Sequence, residues 1–205
     1  MADNTYGRTY RLDPFNHMVI CLHEAAHAAV FHYVGFHVVG ASAIGLGSKL
    51  NRTLGRTEWI GDNSDNPDAV KRVAMGSCAG YVVEMLGYGI EEFTSFDLAE
   101  FCNGADEVCY SDYRCDYFIG DNAFNDVVQE TVKFLLRRDV SRAVSCMADI
   151  LAEHGKIDHR QIAEAMSGIR SYDDALLDRI IHQMNELTRL SGRDQYLANL
   201  STGQP

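Results

Sequence analysis

Val19-Ile20-Cys21-Leu22-His23-Glu24-Ala25-Ala26-His27-Ala28-Ala29-Val30-Phe31 is apolar at every position but three. A helix that is apolar on all sides is a buried helix. Asp13-Pro14 offers an N-cap followed by proline at the first helical position, and nothing breaks the helix before Gly35. The three polar residues, His23, Glu24 and His27, therefore enter the core together. Residues four apart lie on one helix face, so the two imidazoles can present nitrogens to a single ion. Burying two imidazoles and a carboxylate is costly unless something pairs with them, and a divalent cation does so for all three.

His23-Glu24-Ala25-Ala26-His27 is the HExxH arrangement of zinc peptidases. Its two histidines are expected to hold Zn2+, and Glu24, displaced by one residue, to act as general base toward water without being a ligand. In a chain of this composition chance alone yields the pattern roughly 0.02 times. The bland alternative is a pair of satisfied core histidines beside a buried glutamate. A metzincin would continue with Gly at position 30 and His at position 33, where this chain has Val30 and Tyr33, so that class is excluded. His17 and His32 point away from the pair around the helix, so a third ligand has to come from downstream.

The rest of the chain reads as one mostly helical domain with a small sheet. Two short strands are expected near Val38–Ile44 and Gly55–Ile60, joined by a loop containing Gly45, Gly47 and Asn51. Asn66-Pro67 starts a second long helix through Val70, Val73, Ala74, Cys78, Tyr81, Val82, Met85 and Leu86, which Gly87 and Gly89 end. Short helices are expected around Phe93–Phe101 and Ser111–Ile119, a longer one from Asn122 to Leu136, and one capped by Asp139 running to Gly155. Asp158 with Gln161 forms a capping box for the next. A last amphipathic helix carries Leu176, Leu177, Ile180, Ile181, Met184 and Leu187. The expected boundaries are a tail over 1–12, a single domain over 13–190 and a second tail over 191–205.

The 205 residues include 18 Lys+Arg against 29 Asp+Glu, a net charge of −11, with 46% hydrophobic residues. The apolar share is too high for disorder. The excess of acid argues against nucleic acid and anionic membrane surfaces, both of which call for clustered Lys and Arg. No apolar run reaches the 18 or so residues of a spanning helix, and no secretory signal is visible, which points to the cytoplasm. Six cysteines without a CxxC pair are expected to be reduced, mostly as core thiols. The acid is concentrated: between Val73 and Tyr113 there is no Lys or Arg, while Glu84, Glu91, Glu92, Asp97, Glu100, Asp106, Glu107 and Asp112 are all acidic.

Leu22-HEAAHAAV, the strand at Val38–Ile44, Gly55-Arg56-Thr57, Ala79-Gly80-Tyr81-Val82-Val83-Glu84 through Tyr88-Gly89, Ser111-Asp112-Tyr113 and the segment Ile150–Ala165 follow one another between Phe15 and Met166. Together they resemble the zinc peptidase domain of the FtsH-type membrane AAA proteases. The resemblance implies an α+β, predominantly helical, zincin-like fold, with Asp112 as third zinc ligand and Gly55–Trp59 as the strand along a substrate cleft. Ala26 stands where the family has Gly. The interval from Gly89 to Asp112 is longer than the family's, which keeps Asp106, Asp97, Asp116 and Glu84 open as third ligands. No G-x4-G-K-[ST] occurs, so no ATP-driven unfolding is expected from this chain. The implied activity is an ATP-independent zinc metalloendopeptidase acting on extended or loosely folded polypeptides. The alternatives are a non-catalytic zinc-binding interaction protein of the same fold and a His-His-Glu regulatory metallopeptidase using Glu84.

Overall fold

A computed structural model describes residues 17–43, 55–176, 178–179 and 182. Contacts divide the chain into two compact units, Met1–Ile169 and Arg170–Pro205. The first is an α+β unit, mostly helical, with a three-stranded antiparallel sheet.

Its centre is α1 (His17–Tyr33), where Cys21, Ala25, Ala26, Ala28, Ala29 and Val30 are wholly buried. Gly35 ends it in the left-handed region at φ +89°. The Gly35 N–H donates to His32 O at 3.1 Å and the Phe36 N–H to Phe31 O at 2.9 Å, the paired bonds of a Schellman turn. That turn throws the chain into β1 (His37–Ala43), which pairs with β2 (Gly55–Ile60) on one side and β3 (Lys156–Asp158) on the other. The register runs from His37 opposite Ile60 to Ala43 opposite Gly55, with an irregularity between Val38 and Gly40. Gly40 admits β3: a Cβ there would lie 2.7 Å from the Ile157 carbonyl oxygen.

α2 (Pro67–Gly87) begins as its sequence requires, with Asn66 accepting from the Asp68 N–H and proline in the first turn. It packs against α1, as does α6 (Arg138–His154) from another side. Between them come α3 (Ser95–Phe101), α4 (Asp106–Phe118) and α5 (Ala123–Leu135), and α7 (His159–Ala165) follows β3. Asp158 and Gln161 form the expected reciprocal capping box of α7.

Four local readings change. α4 starts at Asp106, five residues before the helix expected from Ser111, and α3 starts at Ser95. α6 starts at Arg138, so Asp139 is a first-turn acid bound by Arg137 rather than the N-cap. β3 was not expected at all. Of the cysteines, which are all free thiols, Cys21, Cys78 and Cys115 are buried, whereas Cys109 and Cys146 are exposed.

In the second unit residues 172–176 are helical. Ser171 Oγ accepts from the Asp174 N–H at 3.3 Å, and Arg170 pairs with Asp178. Leu176 lies on this segment, while Leu177, Ile180, Ile181, Met184 and Leu187 lie outside the described residues, as do Asp13-Pro14, the Gly45–Asn51 loop and both expected tails. Among the described residues no helix is long and apolar enough to cross a membrane.

Candidate metal centre

Two helices and one strand converge on His23, Glu24 and His27. Because α1 is buried over most of its surface, Glu24 and His27 meet other elements rather than water, at 6% and 8% exposed, while His23 is part-buried. The His27 ring donates from Nδ1 to the Gly76 carbonyl oxygen at 2.7 Å. Nδ1 of His23 lies 2.6 Å from Glu84 Oε1. A carbonyl and a carboxylate only accept, so both partners assign the ring proton to Nδ1 in the neutral imidazoles. Both Nε2 atoms are then bare, and they face each other at 2.9 Å.

Two bare nitrogens at that distance call for a shared cation, either a proton on one Nε2 donated to the other or a metal ion. A proton is disfavoured on His27, whose pKa is pushed down to about 3, first by burial and then by the charge of His23, against the opposing Gly76 bond. A shared metal ion meets the same geometry with little movement. Two nitrogens on one tetrahedral zinc at about 2.0–2.1 Å stand roughly 3.3 Å apart, a few tenths of an ångström wider than here. The Nδ1 partners are those that orient metal-binding histidines, a carboxylate on one ring and a backbone carbonyl on the other.

α2 makes room for this. Gly76 and Gly80 sit one turn apart inside a helix, where each glycine costs about 1 kcal/mol relative to alanine. A Cβ at Gly76 would overlap the Phe31 ring, and one at Gly80 would lie 2.5 Å from Nε2 of both His23 and His27. The missing side chain at position 80 thus leaves open the space beside both nitrogens. Were the pair to hold zinc, Gly80→Ala would lower its affinity by at least about tenfold, the scale on which disturbed supporting contacts act. Titration against a competing chelator reads this, and affinity equal to wild type would overturn the role given to Gly80.

β2 closes the other side. Thr57 Oγ1 lies 2.8 Å from Glu24 Oε2 and 3.1 Å from the Glu24 backbone oxygen. A Cβ on Gly55 would approach Glu24 Cγ to 2.5 Å. Burial raises the pKa of Glu24, the charge of His23 and the Thr57 bond oppose this, and Glu107 adds to the rise. Trp59, half-buried, stacks on Phe31 and Phe36 at 4.6 and 4.9 Å and belongs to that aromatic cluster.

The structure brings His23, Glu24 and His27 together, with Glu84 at the Nδ1 pole of His23 rather than the Nε2 side. The other acids are placed as follows. Asp112 and Asp116 are exposed on α4, and the Asp112 carboxyl is raised by partial burial and by the charge of Asp116. Asp106 is exposed in the first turn of α4. Asp97 is engaged in the capping box of α3, accepting from the Thr94 N–H at 2.7 Å. Among the described residues no three His, Cys, Asp or Glu side chains gather closely enough to hold a metal ion.

Sequence reasoning missed Gly76, Gly80, Tyr81 and Glu107 as parts of this centre. Tyr81 meets His23 edge-on at 4.8 Å between ring centroids and donates its hydroxyl to Glu107 Oε1 at 3.1 Å. Glu107, from α4, is thereby the acid beyond α1 and α2 whose contact leads back to the imidazoles. The Gly76–Gly80 pair was the available signal, since two glycines one turn apart in a helix mark a close approach. His17 and His32 stay out of the pair: His17 lies by Cys21, and His32 by His159. Compared with protein-family models and with curated proteins, the sequence matches none.

Proposed function

We propose that this chain is a zinc-dependent, ATP-independent peptidase of zincin-like fold that cleaves extended or loosely folded polypeptides. The observation that carries the reading is the pair of Nε2 atoms 2.9 Å apart, with both Nδ1 atoms committed to acceptors. Beside Glu24, two histidines so oriented would form a metal-binding pair with a base at hand. Bound there, Zn2+ would act as a Lewis acid toward the scissile carbonyl and make water more acidic.

The residues of the chain have separate tasks. His23 and His27 would hold the ion through Nε2, with Glu84 and the Gly76 carbonyl fixing the rings through Nδ1. Glu24 takes a proton from the attacking water and returns it to the leaving amine. Thr57 holds the Glu24 carboxylate through Oε2, leaving Oε1 for that proton. The third protein ligand in this reading comes from α4. Family resemblance points to Asp112, and the contact through Tyr81 points to Glu107.

Zinc content of purified protein, with chelator-sensitive cleavage of an unfolded protein substrate, tests the function. One equivalent of zinc and cleavage that returns when zinc is restored are expected. A protein that takes up no zinc overturns the reading, and one that binds zinc without cleaving is the interaction protein instead. Asp112→Ala and Glu107→Ala, measured separately, assign the third ligand: one depletes zinc and the other keeps it. Glu84→Ala is expected to weaken zinc by about 10–100-fold without abolishing binding, since it removes an orienting partner. Full depletion in Glu84→Ala would make Glu84 the ligand.

A further inference from the structure

The helix α4 carries an exposed aromatic face. Tyr110, Tyr113 and Tyr117 follow i, i+3, i+7 spacing and so form one stripe. They are 59%, 62% and 69% exposed. With 150–250 Å² per aromatic side chain, this leaves on the order of 400 Å² of tyrosine surface in water, the size of patch that marks an interaction site. Asp106 lies within that stripe and Asp116 at its edge beside Tyr113, and both are exposed.

The one cation of α4 has been withdrawn from that side. Arg114 is 4% exposed and points inward, giving Nη1 to Asn63 Oδ1 at 2.7 Å and Nη2 to Ser64 O at 2.7 Å and Asp65 Oδ1 at 3.1 Å. It thereby ties α4 to the loop that leads into α2. Its guanidinium also lies 5.7 Å from the centroid of the Tyr110 ring, within cation–π range. From Val73 to Tyr113 the sequence supplies no other Lys or Arg. The result is a row of rings and carboxylates in which Arg114 reaches only the Tyr110 ring, while Tyr113 and Tyr117 stack on each other with centroids 5.9 Å apart and keep their outer surfaces exposed.

We propose that the exposed face of α4 docks a Lys- and Arg-rich extended segment of a partner polypeptide. Cations would sit over the ring faces and against Asp106 and Asp116, an arrangement that selects by charge and tolerates varied sequence. As the surface that delivers a substrate, it rests on the peptidase reading, and it narrows the substrate class to polypeptides with a basic stretch near the cleaved bond.

Binding can be read apart from catalysis. Anisotropy of labelled, unstructured peptides would be measured against the full chain carrying Glu24→Gln, using a Lys/Arg-rich peptide, a neutral Gly/Ser peptide and a Glu-rich one. The basic peptide is expected to bind at least about tenfold more tightly than the neutral one, and to weaken as salt rises. The Tyr113→Ser/Tyr117→Ser double variant is expected to lose about fivefold or more of that affinity, on the scale of one or two cation–π contacts. Equal affinity for all three peptides overturns the proposal, as does a double variant that binds the basic peptide like its parent. Peptide-free self-association that the double variant abolishes would make a second copy the occupant, and also overturns it. If the wild type cleaves nothing while the basic peptide still binds through these tyrosines, the peptidase reading fails and the docking surface stands.

Discussion

Glu24→Gln is expected to lower kcat by about 10²–10⁴-fold while leaving zinc content at the wild-type level. Glutamine preserves the size of the side chain and can still accept from Thr57, so the packing of β2 against α1 survives. What it loses is the capacity to take a proton. Burial lifts the native carboxyl above its ordinary range, which makes it a stronger base and brings it nearer to working pH. The same lift has a cost in the metal-free protein. A carboxyl whose pKa rises on folding opposes folding once it ionises, so stability falls as pH climbs from the unfolded value of about 4.3 toward the folded one. Zinc-free Glu24→Gln is therefore expected to melt at a higher temperature than zinc-free wild type at neutral pH. Two measurements decide the matter: undiminished cleavage by the variant removes Glu24 from the reaction, and a lower Tm removes the burial argument.

Much of the frame was legible because its signals are local. Apolar residues on every side of α1, the stop at Gly35, the start at Asn66-Pro67 and the Asp158–Gln161 box are each written in a few adjacent residues, and each is where those residues put it. The early start of α4 was not legible because Ala105 at its N-cap position makes no side-chain cap bond. Asp106 and Glu107 in the first turn favour that end through the helix dipole, but acidic residues occur throughout the interval and do not mark a boundary. β3 escaped because three residues with one buried side chain, Ile157, carry no periodicity. It exists because β1 needs a partner on its second edge and Gly40 lets one approach.

The centre divides in the same way. His23, Glu24 and His27 share one helix, and their spacing alone predicts that they meet. Their supports come from α2, β2 and α4, where the relevant property is position in space. Glu84 reads in sequence as one candidate third ligand among several, and only packing puts it 2.6 Å from His23 Nδ1. Gly76 contributes a carbonyl, which no side-chain motif encodes. Thr57 and Gly55 were singled out as a G-x-T strand, and they do flank Glu24. The pattern has a physical basis: a motif records groups that must be near in sequence to act together, while the groups that orient them need only be near in space.

Acid should unfold the zinc-free protein through His27, over a window set by that residue. Its pKa is about 3 in the fold against roughly 6.5 in the unfolded chain. The unfolded state therefore binds the proton first as pH falls, and stability drops by about 1.4 kcal/mol per pH unit below 6.5 from this group alone. Between pH 6.5 and pH 4.5 the loss amounts to about 2 kcal/mol, a sizeable part of the stability of an ordinary domain. His32, lowered by burial and by His159, acts in the same direction, and Glu24, raised by burial, acts against it. Asp97 and Asp139, held below the usual carboxylate range by their partners, lose their contribution only below about pH 4 and stay outside the window. Urea unfolding of zinc-free wild type and His27→Gln across this range separates the terms, since His32 and the carboxylates are common to both. The stability difference between the two proteins is expected to shift by about 2 kcal/mol against the wild type as pH falls from 6.5 to 4.5. Parallel pH profiles would mean that His27 carries its proton in the folded state, and the facing lone pairs that call for a metal ion would then not exist.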